Sequence, residues 1–384
     1  MNNPLLSFGR GLPDYAAIQA SHIKPAITEL LAKAQKAVDL SVDPSTPNTW
    51  ADLVEPLENA TEELGRSWGV IGHLNSVADT PELREAYGEM LPEVTAFWSS
   101  LGQNLDLYKK YKALSQSAEF QQLSLAQRKV IENSLRDFRL GGAELADDQK
   151  PRFSAIQDEQ ALLSKAFSDH VLDATDNYVH QVTNVEDLAG LPEDALAAAK
   201  QTAELKQLDG WAFTLHFPSY FPVMQFCDNR SLRKNLYQAY ITRASELGAE
   251  YGNGKSEWDN TENMLLQLRL KDEEAKMLGF ANYAALSLAP KMAKTVAEVD
   301  HFLEDFAKRA KSHGQKDWDD LQQFAKEHLH IDQLEPWDMA YASEKLKQAR
   351  YSFSENELKQ YFPLPKVLDG LFSIIQTLFG VKIQ

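Results

Sequence analysis

The chain of 384 residues contains one cysteine, Cys227, so no disulfide can form within it and the sequence reads as one for a reducing compartment. No apolar run approaches the ~18 residues a membrane-spanning helix needs. The opening Met1-Asn2-Asn3-Pro4-Leu5-Leu6 has no basic stretch ahead of an apolar one, so it does not read as a secretion signal. These absences predict a cytoplasmic protein with no membrane partner. Cations are also scarce: 39 Lys and Arg stand against 56 Asp and Glu, a net charge of −17. Phosphate backbones are bound by clustered Lys and Arg, so a nucleic-acid partner is excluded. No two of the nine histidines stand four apart, so the zinc-binding pattern H-E-x-x-H is absent from the chain. His328 and His330 follow Glu327, but a spacing of two turns their rings to different sides of a helix.

What is present is helical periodicity. Ile23, Ile27, Leu30, Leu31, Ala34 and Val38 recur at helical spacing between Ser21 and Leu40, with Pro25 near the first turn. Leu53, Leu57, Leu64, Trp68 and Ile71 predict a second helix over Trp50 to Leu74. Thr80-Pro81 opens a third by N-cap and first-turn proline, and the spacing carries it to Tyr108 with an interruption at Pro92. Ser124 and Gln127 make a capping box for a fourth that Gly141-Gly142 stops, and a further helix runs to Ala174. The aromatic residues on these helices read as core.

Near residue 200 the character changes. Pro192 begins a helix, after which Trp211, Phe213, Leu215 and Phe217 alternate with Ala212, Thr214 and His216, the periodicity of a strand. A lone strand needs a ladder partner, expected beyond this chain. Pro218 and Pro222 bracket PSYFP as a rigid loop, and a helix over Asn229 to Leu247 follows. In the last fifty residues, Asp338 is expected to cap a helix from Met339, Ser354 with Glu357 to box a second, and Pro365 to open a third that Gly380 ends. Val367, Leu368, Leu371, Phe372, Ile375, Leu378 and Phe379 share one face of that last helix and require cover, and Val381 to Ile383 read as the onset of a strand.

Two patterns imitate chemistry. Gly252-Asn253-Gly254-Lys255-Ser256 ends like a phosphate-binding loop, but the glycine the pattern needs at 249 is Ala249 and a helix, not a strand, precedes it. Cys227 with His216 suggests a thiol nucleophile and its base, yet a cysteine among Met224, Phe226 and Phe221 reads as a small buried hydrophobe.

The long motifs are more specific. EPWDMAYASEKLKQARY, YFPLPKVLDGLF and the closing LFG resemble the thimet oligopeptidase family, and within it the bacterial branch. HLNSVADTPELREAY, NSLRDF, HVLDAT, PSYFPVMQFCDNRSLRKNLYQAYITRAS and MLGFANYAALSLAPKMA extend the resemblance over the whole chain. Ala342 departs from the family, which usually has a second tyrosine after Tyr341.

The resemblance implies a mainly α, multi-helix, two-lobed metallopeptidase architecture with a small strand element, cut within the catalytic region. It implies residues 1–200 as an all-helical N-terminal domain forming a channel wall, and residues 201–384 as the incomplete first part of the peptidase domain. The family binds one zinc ion through H-E-x-x-H, and the glutamate activates the metal-bound water; that motif would lie beyond residue 384. The chain is then expected to be the N-terminal part of a zinc oligopeptidase whose partners are short peptide substrates and the missing C-terminal catalytic part. No residue of it is assigned a catalytic, cofactor-binding or metal-ligating role, and the chain alone is expected to be inactive. The alternative is a non-catalytic helical peptide-binding or scaffold protein.

Overall fold

The computed structural model describes residues 3–9, 11–352 and 358–383. Numbering the helices of ten residues or more, the chain runs α1 (Ala20–Val42), α2 (Glu55–Val77), α3 (Pro81–Gly102), α4 (Leu105–Ser115), α5 (Leu125–Leu140), α6 (Lys150–Asn177), β1 (His180–Val182), α7 (Glu193–Leu205), β2 (Trp211–Phe213), α8 (Phe217–Phe226), α9 (Arg230–Thr242), α10 (Thr261–Met277), α11 (Val296–His328), α12 (Met339–Tyr351) and α13 (Leu364–Phe379). The mainly α class with a small strand element is what the sequence predicts. By contact the chain divides into two compact units, Met1–Phe167 with Glu262–His301, and Ser168–Thr261 with Phe302–Gln384.

In the first unit, α1 packs on α2 and α3, and α4 on α5. Their predicted apolar stripes meet in one core that includes Ile23, Ile27, Leu64, Ile71, Met90 and Tyr111. The helix ends follow their caps. The Thr80 hydroxyl accepts from the Leu83 amide at 3.2 Å, and Ser124 and Gln127 exchange bonds of 3.3 and 3.0 Å in a complete capping box. Pro92 does not interrupt α3 as expected: the helix continues to Gly102, because burial of Met90, Leu91 and Val94 offsets the amide bond that proline removes. The break comes instead at Gln103 and Asn104, where the Asn104 side chain accepts from the Leu107 amide at 2.9 Å and starts α4. Gly102 meets Gly141 there so closely that a Cβ on Gly141 would lie 2.8 Å from the Gly102 Cα. Two glycines permit this approach of backbone to backbone.

The second unit supplies its own ladder. β1 pairs antiparallel with β2, His180 opposite Phe213 and Val182 opposite Trp211, so the strand partner lies within the chain and not beyond it. Gly210 holds the turn into β2 at a φ of 80°, where a Cβ would sit 2.2 Å from the Val182 carbonyl oxygen. PSYFP is not a loop but part of α8: Pro218 falls in the first turn, where its missing amide costs nothing, and buried Tyr220, Val223 and Met224 hold the turn around Pro222. α9 stops at Thr242, short of Leu247, because Ala244 turns to a φ of 53° and its carbonyl accepts from the Asn260 amide at 3.1 Å. Residues 381–383 form no strand, and the Ser354 and Glu357 box lies outside the described residues.

α13 ends at Gly380, at a φ of 67°, as its sequence requires, but none of its residues is buried. Leu378 and Phe379 are 69% and 73% exposed. A 16-residue helix with no buried residue is close to the ~12–15-residue limit at which isolated helices become marginal in water. In this chain the amides of α13 should therefore exchange with deuterium far faster than those of α1 to α3, read by mass spectrometry. Equal protection would show that the face is covered in solution.

Candidate functional site

The family-like segment around Pro336 builds a buried polar node in the second unit. Pro336 opens a short 3₁₀ turn, Pro336–Asp338, on which α12 follows directly. Asp338 does not cap α12 as its position suggests: its side chain makes no cap bond to that helix. The carboxylate instead accepts from the Glu335 amide at 3.1 Å and from two guanidinium groups. Arg230 reaches it at 2.6 Å and Arg233 at 2.8 Å. Asp338 and Arg233 are essentially sealed, with side chains 0% and 1% exposed. Desolvation alone would raise the Asp338 carboxyl; the bonds from Arg230 and Arg233 outweigh it and hold the carboxyl below the usual carboxylate range.

α9 places both arginines. Asn229 caps it by accepting from the amides of Ser231 and Leu232, and Arg230 and Arg233, three apart, share the face that meets the 3₁₀ turn. Arg233 also donates to the Cys227 carbonyl at 2.6 Å and lies 4.0 Å over the Tyr341 ring. The Tyr341 hydroxyl donates to Asp228 at 2.8 Å, and burial, with that acceptor second, pushes the phenol up to about 12. Lys345 pairs with the same carboxylate at 3.2 Å. Every charge in this node is spent on another part of the node. Ala342, where the family usually has tyrosine, is fully buried against Leu321, Ala325, Ile331 and Leu334.

The residues that imitate chemistry are kept apart or committed elsewhere. His216 and Cys227 cap opposite ends of the ten-residue α8, about 15 Å apart along its axis. Cys227 is buried, burial pushes its thiol up, and His216 pairs with Asp176 at 2.9 Å. In the GNGKS loop, the amides of Gly252 and Gly254 donate to the Gly248 carbonyl, and the Lys255 ammonium lies over the Trp258 ring. A phosphate cradle needs those groups free. His328 is the last residue of α11, its ring against Phe324, whereas His330 stands in a left-handed turn at a φ of 58°. Among the described residues no three His, Cys, Asp or Glu side chains are grouped to hold a metal ion, so this donor set does not fit a zinc centre.

Comparison with known proteins finds relatives along the whole chain. The N-terminal domain model of neurolysin and thimet oligopeptidase matches residues 27–150, and the model of peptidase family M3 matches residues 223–384. The chain thus resembles peptidase family M3 over residues 223–384. Oligopeptidase A of Escherichia coli and of Salmonella typhimurium are each 43% identical to it over 381 residues, covering 99% of this chain and 55% of the relative. A probable cytosolic oligopeptidase A of Arabidopsis thaliana is 38% identical over 394 residues, covering all of this chain and 54% of the relative. The chain spans about half the length of the curated relatives it matches. Asp338, Arg230 and Arg233 all lie in the part matched by the M3 model. The two arginines escaped the sequence reading, because nothing local in RSLR points to a carboxylate a hundred residues away.

Replacing Asp338 by Asn leaves two guanidinium groups without their counter-charge, so a loss of about 3–5 kcal/mol is expected. A urea titration followed by tryptophan fluorescence measures it. Because the folded carboxyl is depressed, its contribution is present above the ordinary carboxylate value of ~3.9 and is lost as pH falls through the folded value. The difference between wild type and D338N should therefore shrink on acidification below about pH 4 and be unchanged between pH 6 and 8.

Proposed function

We propose that this chain is the N-terminal portion of a zinc-dependent oligopeptidase, resembling oligopeptidase A, that hydrolyses short peptides in the cytoplasm. The observation that carries the reading is the match of 99% of the chain at 43% identity to relatives of which it spans 55%. In this reading residues 1–200 form a helical domain that shapes the path of the substrate, and residues 201–384 form the first part of the peptidase domain. Family models for the N-terminal domain and for the peptidase fall on either side of residue 200, which supports that division. Hydrolysis, zinc-dependent in the family, is assigned to sequence outside this chain, and no step of it is attributed to residues described here. That sequence is also the partner we assign to the apolar face of α13. The lone buried Cys227 and a relative named as cytosolic support the location, and no described helix is long and apolar enough to cross a membrane.

The purified 384-residue chain, given a short internally quenched peptide and zinc, should show no cleavage that a chelator removes. The same chain joined to the C-terminal remainder of Escherichia coli oligopeptidase A should gain it. Chelator-sensitive cleavage by the chain alone would overturn the assignment. A soluble, inactive chain that binds such peptides tightly, and that no added remainder activates, would favour a peptide-binding module.

A further inference from the structure

In the first unit, α2, α3, α4 and α5 leave between them a cavity of about 490 Å³. That is within the range of ~300–1,000 Å³ typical of small-molecule sites. Leu57 and Glu58 come from α2, Trp98 and Leu101 from α3, Tyr111 from α4 and Phe138 from α5. Gly102, held small by its crossing with Gly141, adds no side chain to the lining.

The polar groups of this cavity are unusual in what they lack. Tyr111 is 1% exposed and packs edge-on against Phe138; its hydroxyl makes no hydrogen bond among the described residues, and its oxygen is not one of the sealed atoms left without a partner but keeps access to solvent. That oxygen is free to take a partner that enters the cavity. Glu58 makes no side-chain hydrogen bond or ion pair among the described residues. Much of Glu58 is open to solvent, but desolvation of its carboxyl, with repulsion from Glu62 second, raises it above the ordinary carboxylate range. The charge of Glu58 is felt at Tyr111, whose phenol is pushed up by burial first and by Glu58 second. A carboxylate and a phenol oxygen thus face one space without bonding to each other.

No Lys, Arg or His lines the cavity. The other charged groups facing it are acidic: Glu62 on α2, 3.9 Å from Arg66, and Asp137 on α5, held by Arg136 at 2.8 Å; α3 brings none. The missing complement is a compact group with several donors, no acceptor, a positive charge and an apolar stem. An alkylammonium has that character. We infer that this cavity binds a primary alkylamine, its ammonium donating to the Glu58 carboxylate and the Tyr111 hydroxyl beside the Trp98 ring and its methylenes lying on Leu57, Leu101 and Phe138. Trp98, 37% exposed, lines the same cavity, and an indole face attracts a cation.

The test is calorimetric titration of the 384-residue chain with 1-aminobutane at pH 8 and about 0.15 M salt, at which ionic strength long-range attraction by the acidic surface is screened beyond about 8 Å. Saturable one-to-one binding is expected, with a Kd of about 1 mM or tighter for so small a ligand. Butan-1-ol and butyrate, matched in length but lacking the charge or reversing it, should not bind. Glu58→Gln should weaken the amine by about tenfold or more, the scale of one charged hydrogen bond. Tyr111→Phe, which keeps the ring and its packing, should weaken it severalfold, and unchanged circular-dichroism melting curves confirm that both variants are folded. Affinity should fall as pH drops through the raised value of Glu58, and that dependence should vanish in E58Q. Non-saturating heats, butanol binding as tight as the amine, or full binding by folded E58Q would each overturn the proposal.

Discussion

The second unit depends on one buried carboxylate. Asp338 has both oxygens occupied: Arg230 and Arg233 donate to Oδ1, and Arg230 with the Glu335 amide donates to Oδ2. A buried ion pair contributes little net stability against apolar residues of the same volume, because desolvation offsets most of the Coulombic gain. Its effect lies in what it forbids. Arg233 and Asp338 stand 105 positions apart, and any other docking of the 3₁₀ turn on α9 leaves a charge buried without a partner. The turn then fixes where α12 starts, and α12 carries Tyr341 to Asp228 and Glu344 to Gln225 on α8.

The parts of this fold that could be read from sequence are those whose determinants are local. Thr80, Ser124 with Gln127, and Gly380 each act within four residues of where they stand, and each sets a helix end as expected. Two prolines were the reverse. Pro92 and Pro222 both sit inside helices, because their cost of about 3 kcal/mol is set against burial of neighbours such as Met90 and Val223 that no local rule weighs. β1 was missed because three residues, His180 to Val182, are too few to show a period of two. Asp338 was legible as a capping residue but not as the counter-ion of two arginines, since long-range pairing leaves no mark on the residues between.

Motif letters were weaker guides than motif geometry. The GNGKS stretch has most of the residues of a phosphate loop, but its backbone amides already bond to Gly248. Cys227 and His216 would make a nucleophile and base if a ten-residue helix did not separate them. Family resemblance succeeded where single motifs failed because it is carried by packing patterns spread over the chain. Such patterns identify the scaffold while leaving open which half of it does chemistry.

Two features among the described residues, the face of α13 and the cavity at Tyr111, call for different partners. The face of α13 lacks only cover: its exposed residues are apolar, so any complementary apolar surface of sufficient area would answer it, and the reward is proportional to area and indifferent to direction. The cavity behind Tyr111 lacks something directional. Apolar cover would leave the phenol unpaired and deepen the desolvation of Glu58, so burial alone would make that site worse. Apolar contact can therefore complete α13, whereas the cavity is completed only by a donor that brings positive charge to two acceptors at once.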